Sequence, residues 1–210
     1  MPRKRPLVYL ITSGEATDAN FGKKRLEIVA LVKTAVDNDI PLVQLREKRL
    51  SAKHLFELAL ELAAITQQTE TRLLINDRAD IASVSGSAGV HLTTRSLAAA
   101  VVRKHFSNNL LIGVSTHTIA EVRTAQKGGA DFAVFSPIFE TPGKVSPTGT
   151  NSLRLICEQV ETFPVIALGG INETNFQSVL DVGAAGFAAV RFLNDLGSIG
   201  CVMTKLANKP

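Results

Sequence analysis

The sequence contains few of the residues that mark nucleic-acid binders and metal-binding cysteine clusters. Among its 210 residues there is no tryptophan, one tyrosine and two cysteines. With no tryptophan and only one tyrosine, no platform of aromatic rings for stacking bases is evident, and a nucleic acid is not expected as a partner. Cys157 and Cys201 lie far apart and match no metal spacing, so we expect reduced thiols in a cytoplasmic protein. No apolar run reaches the length of a membrane span, and the first residues do not resemble a signal peptide.

Charged residues of both signs are scattered, and the chain carries a formal net charge of +4. The one basic run, PRKR at residues 2–5, is interpreted as part of a solvated N-terminal tail of residues 1–6. No composition shift marks a linker, so residues 1–210 are expected to form a single compact domain. A mildly basic balance fits an enzyme for phosphorylated substrates, although charge alone does not establish one.

Short apolar runs rich in β-branched residues alternate with amphipathic stretches. Eight such units predict a parallel sheet covered by helices, closed most simply into a (β/α)8 TIM barrel of the α/β class. A doubly wound open sheet is the alternative, but it would want fewer strands and a G-x-G-x-x-G turn, which the first loop lacks. Ser51 and Asn172 are expected to cap helices. The predicted strands are 7–13, 42–47, 72–77, 89–93, 110–117, 132–137, 164–170 and 186–191, and the clearest predicted helices are 23–39, 51–68, 118–129 and 151–162.

The segment VQLREKRL, residues 43–50, places Gln44, Arg46 and Lys48 at alternate positions. In a strand these three side chains point the same way. Burying an amide, a guanidinium and an ammonium group without partners is costly, so the pattern predicts an anion site. The alternative is that they pair with Glu47 or Asp77 and line the rim of the barrel.

Polar residues also follow the other predicted strands, where a barrel carries its chemistry. Asn76 and Asp77 favour either a metal site or the cap of the next helix. His117 is either an acid–base group or a half-buried structural histidine. His91, inside the apolar GVHL, is interpreted as structural.

Two glycine-containing segments suggest binding of phosphate. Gly169 and Gly170 follow a buried strand and precede a helix, where bare backbone N–H groups can cradle phosphate, and Arg191 at the end of strand eight supports this. The alternative is a tight turn that requires positive φ. The loop FETPGKVSPTG, residues 139–149, holds Lys144 and is either a lid or an ordinary flexible loop.

Together these motifs resemble those of the thiamine phosphate synthase and TenI superfamily. The resemblance spans about residues 7–195, and it depends on the order and spacing of the motifs rather than on any one of them. It implies a (β/α)8 barrel. The motifs are QLREK (44–48), NDRADIA (76–82), GVHL (89–92), GVSTH (113–117), GGADF (128–132), SPIFETPGK (136–144), ALGGI (167–171) and GAAGFAAVR (183–191).

The synthase branch joins hydroxymethylpyrimidine diphosphate to a thiazole phosphate and releases pyrophosphate. The resemblance implies that pyrophosphate leaves first and that the thiazole nitrogen captures the pyrimidine-methyl cation, while Mg2+ and hydrogen-bond donors stabilise the departing group. It implies diphosphate or lid contacts from Gln44, Arg46, Lys48, Thr116 and Lys144. It places Asn76 beside the pyrimidine, Asp77 on Mg2+, and Thr141, Gly170 and the backbone near Arg191 on the thiazole phosphate side.

One segment departs from the synthase pattern. After GVHL the synthases usually have Gly-Gln-x-Asp, whose aspartate is the second magnesium ligand, whereas this chain has TTRS with Ser96 in that place. A hydroxyl is a poor substitute for a carboxylate. Mg2+ can nevertheless be held by one carboxylate together with diphosphate oxygens and water, so synthase activity is still expected, with a weakened metal site.

Ser96 is frequent in the TenI branch, which includes thiazole tautomerases, and His117 would then be the acid–base group. Against this, TenI-like chains often lose the QLREK and ND residues, which this chain keeps. A barrel that binds thiamine precursors without turnover is a third hypothesis, and an unrelated phosphate-binding barrel a fourth. A homo-oligomer is compatible with the sequence.

Overall fold

The strands and helices alternate along the chain, as the hydrophobic pattern predicts. The computed structural model describes residues 5–106, 109–141, 143 and 146–207. Within that part of the chain, eight strands alternate with eight α-helices. The strands are β1 Leu7–Ile11, β2 Leu42–Leu45, β3 Arg72–Asn76, β4 Gly89–Leu92, β5 Leu111–Thr116, β6 Phe132–Phe135, β7 Val165–Leu168 and β8 Gly186–Ala189. The helices are α1 Phe21–Asp37, α2 Ala52–Thr66, α3 Ala79–Val84, α4 Ala99–His105, α5 Ile119–Lys127, α6 Gly149–Val160, α7 Phe176–Asp181 and α8 Leu196–Ala207, with 3-10 turns at Asp18–Asn20 and Phe192–Asn194.

All eight strands are parallel and close on themselves in sequence order. The barrel closes where β1 pairs with β8, with Leu7 opposite Gly186 and Leu10 opposite Ala189. The predicted single-domain (β/α)8 barrel is therefore confirmed, and the open doubly wound sheet is excluded. Because parallel strands in a barrel all end at the same face, the loops that follow them meet at one mouth.

Two apolar layers hold the barrel together, because alternate strand residues face opposite sides. One set faces the helices and forms the larger cluster, including Val43, Leu45 and Ile75. The other set fills the lumen. Its buried members are Tyr9, Ile11, Leu42, Leu74, Phe132, Val134, Ile166 and Ala188.

The strands end earlier than the sequence predicts, and one cap is different. Ser51 caps α2 as expected, since its hydroxyl accepts a hydrogen bond from the backbone N–H of His54 at 3.4 Å. The prediction for Asn172 was wrong, because the N-cap of α7 is Asn175. The Oδ1 atom of Asn172 instead accepts the backbone N–H of Thr174 at 2.9 Å and closes a local turn ahead of the helix.

Several sequence expectations concern the surface of the molecule. None of the described helices is long and apolar enough to cross a membrane. Cys157 is half-buried, Cys201 is exposed, and neither forms a disulfide. Most of the predicted basic tail, residues 1–4, lies outside the described part of the chain, while Arg5 Nη1 lies 3.6 Å from Asp39 Oδ2. At the amino end of the barrel, Leu7, Leu42, Leu111 and Phe132 help line a cavity of about 260 Å³.

Candidate active site

The polar residues predicted from the strand ends do gather at the carboxyl mouth of the barrel. Strand register brings them into neighbouring positions, with Gln44 beside Ile11 and Asn76 beside His91. Gln44 and Asn76 are buried, whereas Lys48 and Asp77 are exposed. The mouth therefore combines a buried polar floor with an accessible charged rim.

The expectation that Gln44, Arg46 and Lys48 share one strand face was wrong, because β2 ends at Leu45. Gln44 points into the lumen, where its Nε2 donates to the Tyr9 hydroxyl at 2.9 Å. Arg46 is half-buried in the following loop, and its backbone N–H donates to Thr12 Oγ1 at 2.9 Å. Lys48 is exposed further along the same loop. The two cations thus lie on a loop above the lumen, and only the amide belongs to the strand.

Glu47 has a role that the sequence did not reveal. Its side chain is 2% exposed, and its two carboxylate oxygens accept the backbone N–H groups of Gly14 at 3.0 Å and Ala16 at 2.8 Å. A Cβ atom at position 14 would lie 3.2 Å from Arg46 Nη1, so this loop packs directly on the guanidinium. Glu47 therefore fixes the loop between β1 and α1 against Arg46, instead of serving only as a counter-ion.

Asp77 and Ser96 are in direct contact at the mouth, on the loops that follow the neighbouring strands β3 and β4. Asp77 follows β3 in the left-handed conformation, with φ of 66°, and its backbone N–H donates to the His91 carbonyl at 2.8 Å. The Ser96 hydroxyl donates a short hydrogen bond to the Asp77 carboxylate. The alternative of Asp77 as a helix cap was wrong, since Arg78 is the N-cap of α3.

Asp77 and Ser96 lie where the sequence predicts a magnesium ion. Among the described residues, no three histidine, cysteine or acidic side chains converge as a metal cluster. Asp77 supplies one carboxylate and Ser96 one hydroxyl. Mg2+ is commonly held by one or two carboxylates plus phosphate oxygens and water, so these residues fit a magnesium ion that arrives with a diphosphate.

His91 lies in the lumen below this mouth, as its apolar surroundings predict. It is 3% exposed, its Nδ1 lies 3.2 Å from the Tyr9 hydroxyl and its Nε2 lies 2.8 Å from Ser115 Oγ. Burial lowers the pKa of His91 from 6.5 to about 3, and the positive charge of Arg46 acts in the same direction. The imidazole is therefore neutral at physiological pH.

The GVSTH segment presents different residues from those expected. Thr116 is fully buried, and its hydroxyl donates to the Val134 carbonyl at 3.3 Å. The neighbouring Ser115 faces the lumen instead, close to the mouth, and is half-buried. The sequence places Ser115 among the polar residues at the end of strand five but assigns it no role, although strand alternation with Gly113 could have indicated one.

His117 is exposed just beyond β5. Because a carbonyl can only accept, its Nδ1–H donates to the Ser136 carbonyl at 2.7 Å. The backbone N–H of His117 donates to Glu121 Oε2 at 2.5 Å. Nε2 is therefore the ring nitrogen on the side of His117 that does not face the Ser136 carbonyl.

Gly169 and Gly170 are required by close packing against the loop after β6. A Cβ atom on Gly169 would lie 2.8 Å from Pro137 Cα, and one on Gly170 would lie 2.5 Å from the Glu140 carbonyl. Their φ angles are 107° and 64°, which confirms the tight-turn alternative. The phosphate role of this turn stays a prediction.

The remaining predicted residues lie around the same loop. Thr141 is half-buried, and its hydroxyl donates to the Phe139 carbonyl at 3.0 Å. Arg191 is exposed at the start of the 3-10 turn after β8. Lys144, the predicted lid residue, lies outside the described residues.

Comparison with known proteins agrees with this arrangement. The chain matches the thiamine monophosphate synthase family over residues 8–193. It is 37% identical over 190 residues to the thiamine-phosphate synthase of Enterococcus faecalis, covering 90% of this chain and 86% of that protein. It is 37% identical over 177 residues to the thiamine-phosphate synthase of Chloroflexus aurantiacus, covering 83% and 81%.

A solved structure, the thiamine phosphate pyrophosphorylase from Pyrococcus furiosus, has the same fold. It superposes with a TM-score of 0.80 at 25% sequence identity and covers 99% of both chains. The family match alone takes in most of the barrel, from β1 to the 3-10 turn after β8. The chain therefore belongs to the thiamine monophosphate synthase family.

Proposed function

We propose that this protein is a transferase that condenses hydroxymethylpyrimidine diphosphate with a thiazole phosphate to give thiamine phosphate and pyrophosphate. The observation that carries the proposal is the arrangement of Arg46, Asp77 and Ser115 around one mouth of the barrel. A cation, a carboxylate and a hydroxyl are the groups that a departing, metal-bound diphosphate needs.

In this proposal the chain acts mainly by holding the leaving group and excluding water. The bond between the pyrimidine methylene carbon and the diphosphate oxygen breaks, and its electron pair leaves with pyrophosphate. Arg46 and Lys48 neutralise that charge, and the thiazole nitrogen then forms the new bond to carbon. Mg2+, held by Asp77 and the diphosphate, would supply further charge neutralisation.

The thiazole phosphate is assigned to the opposite side of the mouth. Thr141, Gly170 and Arg191 border it there, and the lid contact of Lys144 stays a prediction. Direct ligand contacts by four further residues stay predictions, because these residues have little or no exposed surface. Gln44 is 1% exposed and Asn76 is 8% exposed, and Thr116 and Gly169 are also buried. A cytoplasmic location and a homo-oligomer are likewise predictions.

The proposal is tested by incubating the protein with both substrates and Mg2+ and measuring thiamine phosphate and pyrophosphate. We expect the two products in equal amounts and their loss on addition of EDTA. Asp77→Ala should abolish synthesis, whereas Asp80→Ala, which alters a nearby exposed carboxylate paired with Arg78, should leave it nearly unchanged. Full synthesis by the Asp77 variant would show that the metal assignment is wrong.

A thiazole tautomerase is the second candidate, and the geometry of His117 favours it. Its Nδ1 is held by the Ser136 carbonyl, and Nε2 is left to accept a proton at the exposed mouth. His117→Ala should then abolish tautomerisation and spare synthesis, with His105→Ala as the control on another exposed histidine. Tight binding of the precursors with neither reaction would favour the binding-only hypothesis.

A further inference from the structure

Four polar side chains from four strands form a continuous hydrogen-bonded chain across the lumen. Gln44 Nε2 lies 2.9 Å from the Tyr9 hydroxyl, which lies 3.2 Å from His91 Nδ1. His91 Nε2 in turn lies 2.8 Å from Ser115 Oγ. Gln44, Tyr9 and His91 are buried, and only Ser115 reaches partly to the mouth.

The chemistry of its first member gives this chain a direction. An amide nitrogen only donates, so the Tyr9 hydroxyl accepts from Gln44 and keeps its own proton to give, for which His91 Nδ1 is the acceptor at 3.2 Å. Because Nδ1 accepts, the single proton of the neutral imidazole is on Nε2, which donates to Ser115. The proton of the Ser115 hydroxyl is then left to be donated to something else.

The lumen packing keeps these groups in place and uncharged. The Tyr9 ring packs edge-on against Phe132, with 5.7 Å between the ring centroids and 84° between the planes. A Cβ atom on Gly113 would lie 2.4 Å from the Phe132 ring and 3.0 Å from His91 Nδ1, so glycine is what leaves room for both rings. Burial also raises the pKa of Tyr9, which keeps the phenol protonated.

We propose that the chain from Gln44 through Tyr9 and His91 makes Ser115 a hydrogen-bond donor at the carboxyl mouth of the barrel. Tyr9 and His91 are thus positioning residues that act through Ser115. The partner of Ser115 is a hydrogen-bond acceptor on the substrate, and this clause alone rests on the proposed synthase function. The proposal gives a purpose to a buried tyrosine and histidine that the reaction itself does not use.

The first test is the tautomer of His91, read from the 15N shifts of the imidazole nitrogens in labelled protein at pH 7.5 without substrate. His91→Gln identifies the signals among those of the four histidines. We expect the proton on Nε2. A proton on Nδ1 would mean that His91 donates to the Tyr9 hydroxyl and does not donate to Ser115 through Nε2, which overturns the proposal.

The second test is a double-mutant cycle between Tyr9 and Ser115 on the KM for the pyrimidine diphosphate. Tyr9→Phe keeps the ring and removes the bond, and Ser115→Ala removes the donor, so each should raise KM by about tenfold. Together they should cost little more than Ser115→Ala alone, because both remove the same interaction. As the control, Ile166→Val changes the lumen without removing a hydrogen bond, and its effect on KM should add to that of Ser115→Ala. If the effects of Tyr9→Phe and Ser115→Ala were additive in the same way, the proposal would be contradicted.

The two tests separate this inference from the proposed function. If wild-type protein makes no thiamine phosphate but His91 is protonated on Nε2, the synthase proposal fails and the directional chain stands. If the protein is an active synthase with His91 protonated on Nδ1, the proposed function stands and the proposed direction of the hydrogen bonds is wrong. The tautomer measurement needs only the wild-type fold, so a poorly folded Tyr9→Phe variant does not remove the test.

Discussion

Among single residues, Ser96 is the position where this chain departs most clearly from the synthase pattern that its other motifs resemble. Its hydroxyl donates to Asp77 and also accepts the backbone N–H of Thr93 at 2.7 Å. Ser96, at the position where the synthase pattern has a second aspartate, is therefore hydrogen-bonded to the first acid, Asp77. This part of the mouth thus has one carboxylate where the synthase pattern implies two.

Replacing Ser96 by aspartate should strengthen the proposed magnesium site. A second carboxylate next to Asp77 adds a ligand, and like-charge repulsion between the two acids is relieved only when the cation binds. We expect the Mg2+ concentration for half-maximal synthesis to fall about tenfold, corresponding to roughly 1.4 kcal/mol. Ser96→Ala is the control that removes the hydroxyl without adding charge, and an unchanged Mg2+ requirement in the aspartate variant would contradict the assignment.

Gly170 and Gly149 form a matched pair for testing close packing at the mouth. Both have positive φ, 64° and 75°, but a Cβ atom on Gly170 would meet the Glu140 carbonyl, whereas no atom of the described residues lies within 4 Å of one on Gly149. Gly149→Ala should cost only the backbone strain, about 1 kcal/mol in the free energy of unfolding. Gly170→Ala should cost about 3 kcal/mol or more because the loop must also move. Equal losses in urea denaturation would show that the contact does not matter.

At the scale of elements, the loops after β1 and β2 are joined through several contacts. Besides Glu47, Asp18 Oδ1 accepts the Ser51 backbone N–H at 2.9 Å and lies 2.7 Å from His54 Nδ1. The His54 ring stacks on Phe21 with 4.1 Å between the ring centroids. The loop that carries Arg46 and Lys48 is thus supported by a neighbouring loop rather than by its own strand.

Glu47→Gln should loosen this support. A glutamine amide can accept only one of the two N–H groups and turns a donor toward the other, which costs about 2 kcal/mol in the free energy of unfolding. Hydrogen exchange should accelerate at residues 14–16, and KM for the diphosphate should rise as Arg46 loses its fixed position. Glu15→Gln, on the exposed side of the same loop, is the control. Equal exchange rates in the two variants would show that Glu47 does not hold the loop.

Most elements could be predicted because apolar periodicity reports directly on burial. The end of β2 could not be predicted, because the alternation of polar and apolar residues continues through residue 48. The Arg46 backbone N–H donates to the Thr12 hydroxyl, and a contact between residues 34 positions apart is not visible in the sequence. The mouth was predictable from the polar residues at the strand ends. The role of Ser115 was missed because Thr116 and His117 adjoin it, and that of Glu47 because its partners lie 33 and 31 residues away.

At the scale of the whole molecule, burial of His91 makes stability depend on pH. Its pKa is about 3 in the folded protein and near 6.5 when exposed, so the unfolded chain binds more protons between these values. The free energy of unfolding should therefore fall as pH drops below 6.5, by about 1.4 kcal/mol per pH unit from this group. The difference in stability between wild type and His91→Gln should shrink by about 2 kcal/mol between pH 7.5 and 5.0. A constant difference for His91→Gln would contradict the burial argument.

The filled lumen also determines how molecules travel. Tyr9, Leu74 and Ile166 leave no accessible surface in the middle of the barrel, so nothing passes from one end to the other. Two substrates must therefore enter, and two products must leave, by the same opening. Because all of them use a single entrance, the order of substrate binding and product release becomes part of the reaction. A molecule bound deep beside Ser115 cannot leave while another covers it.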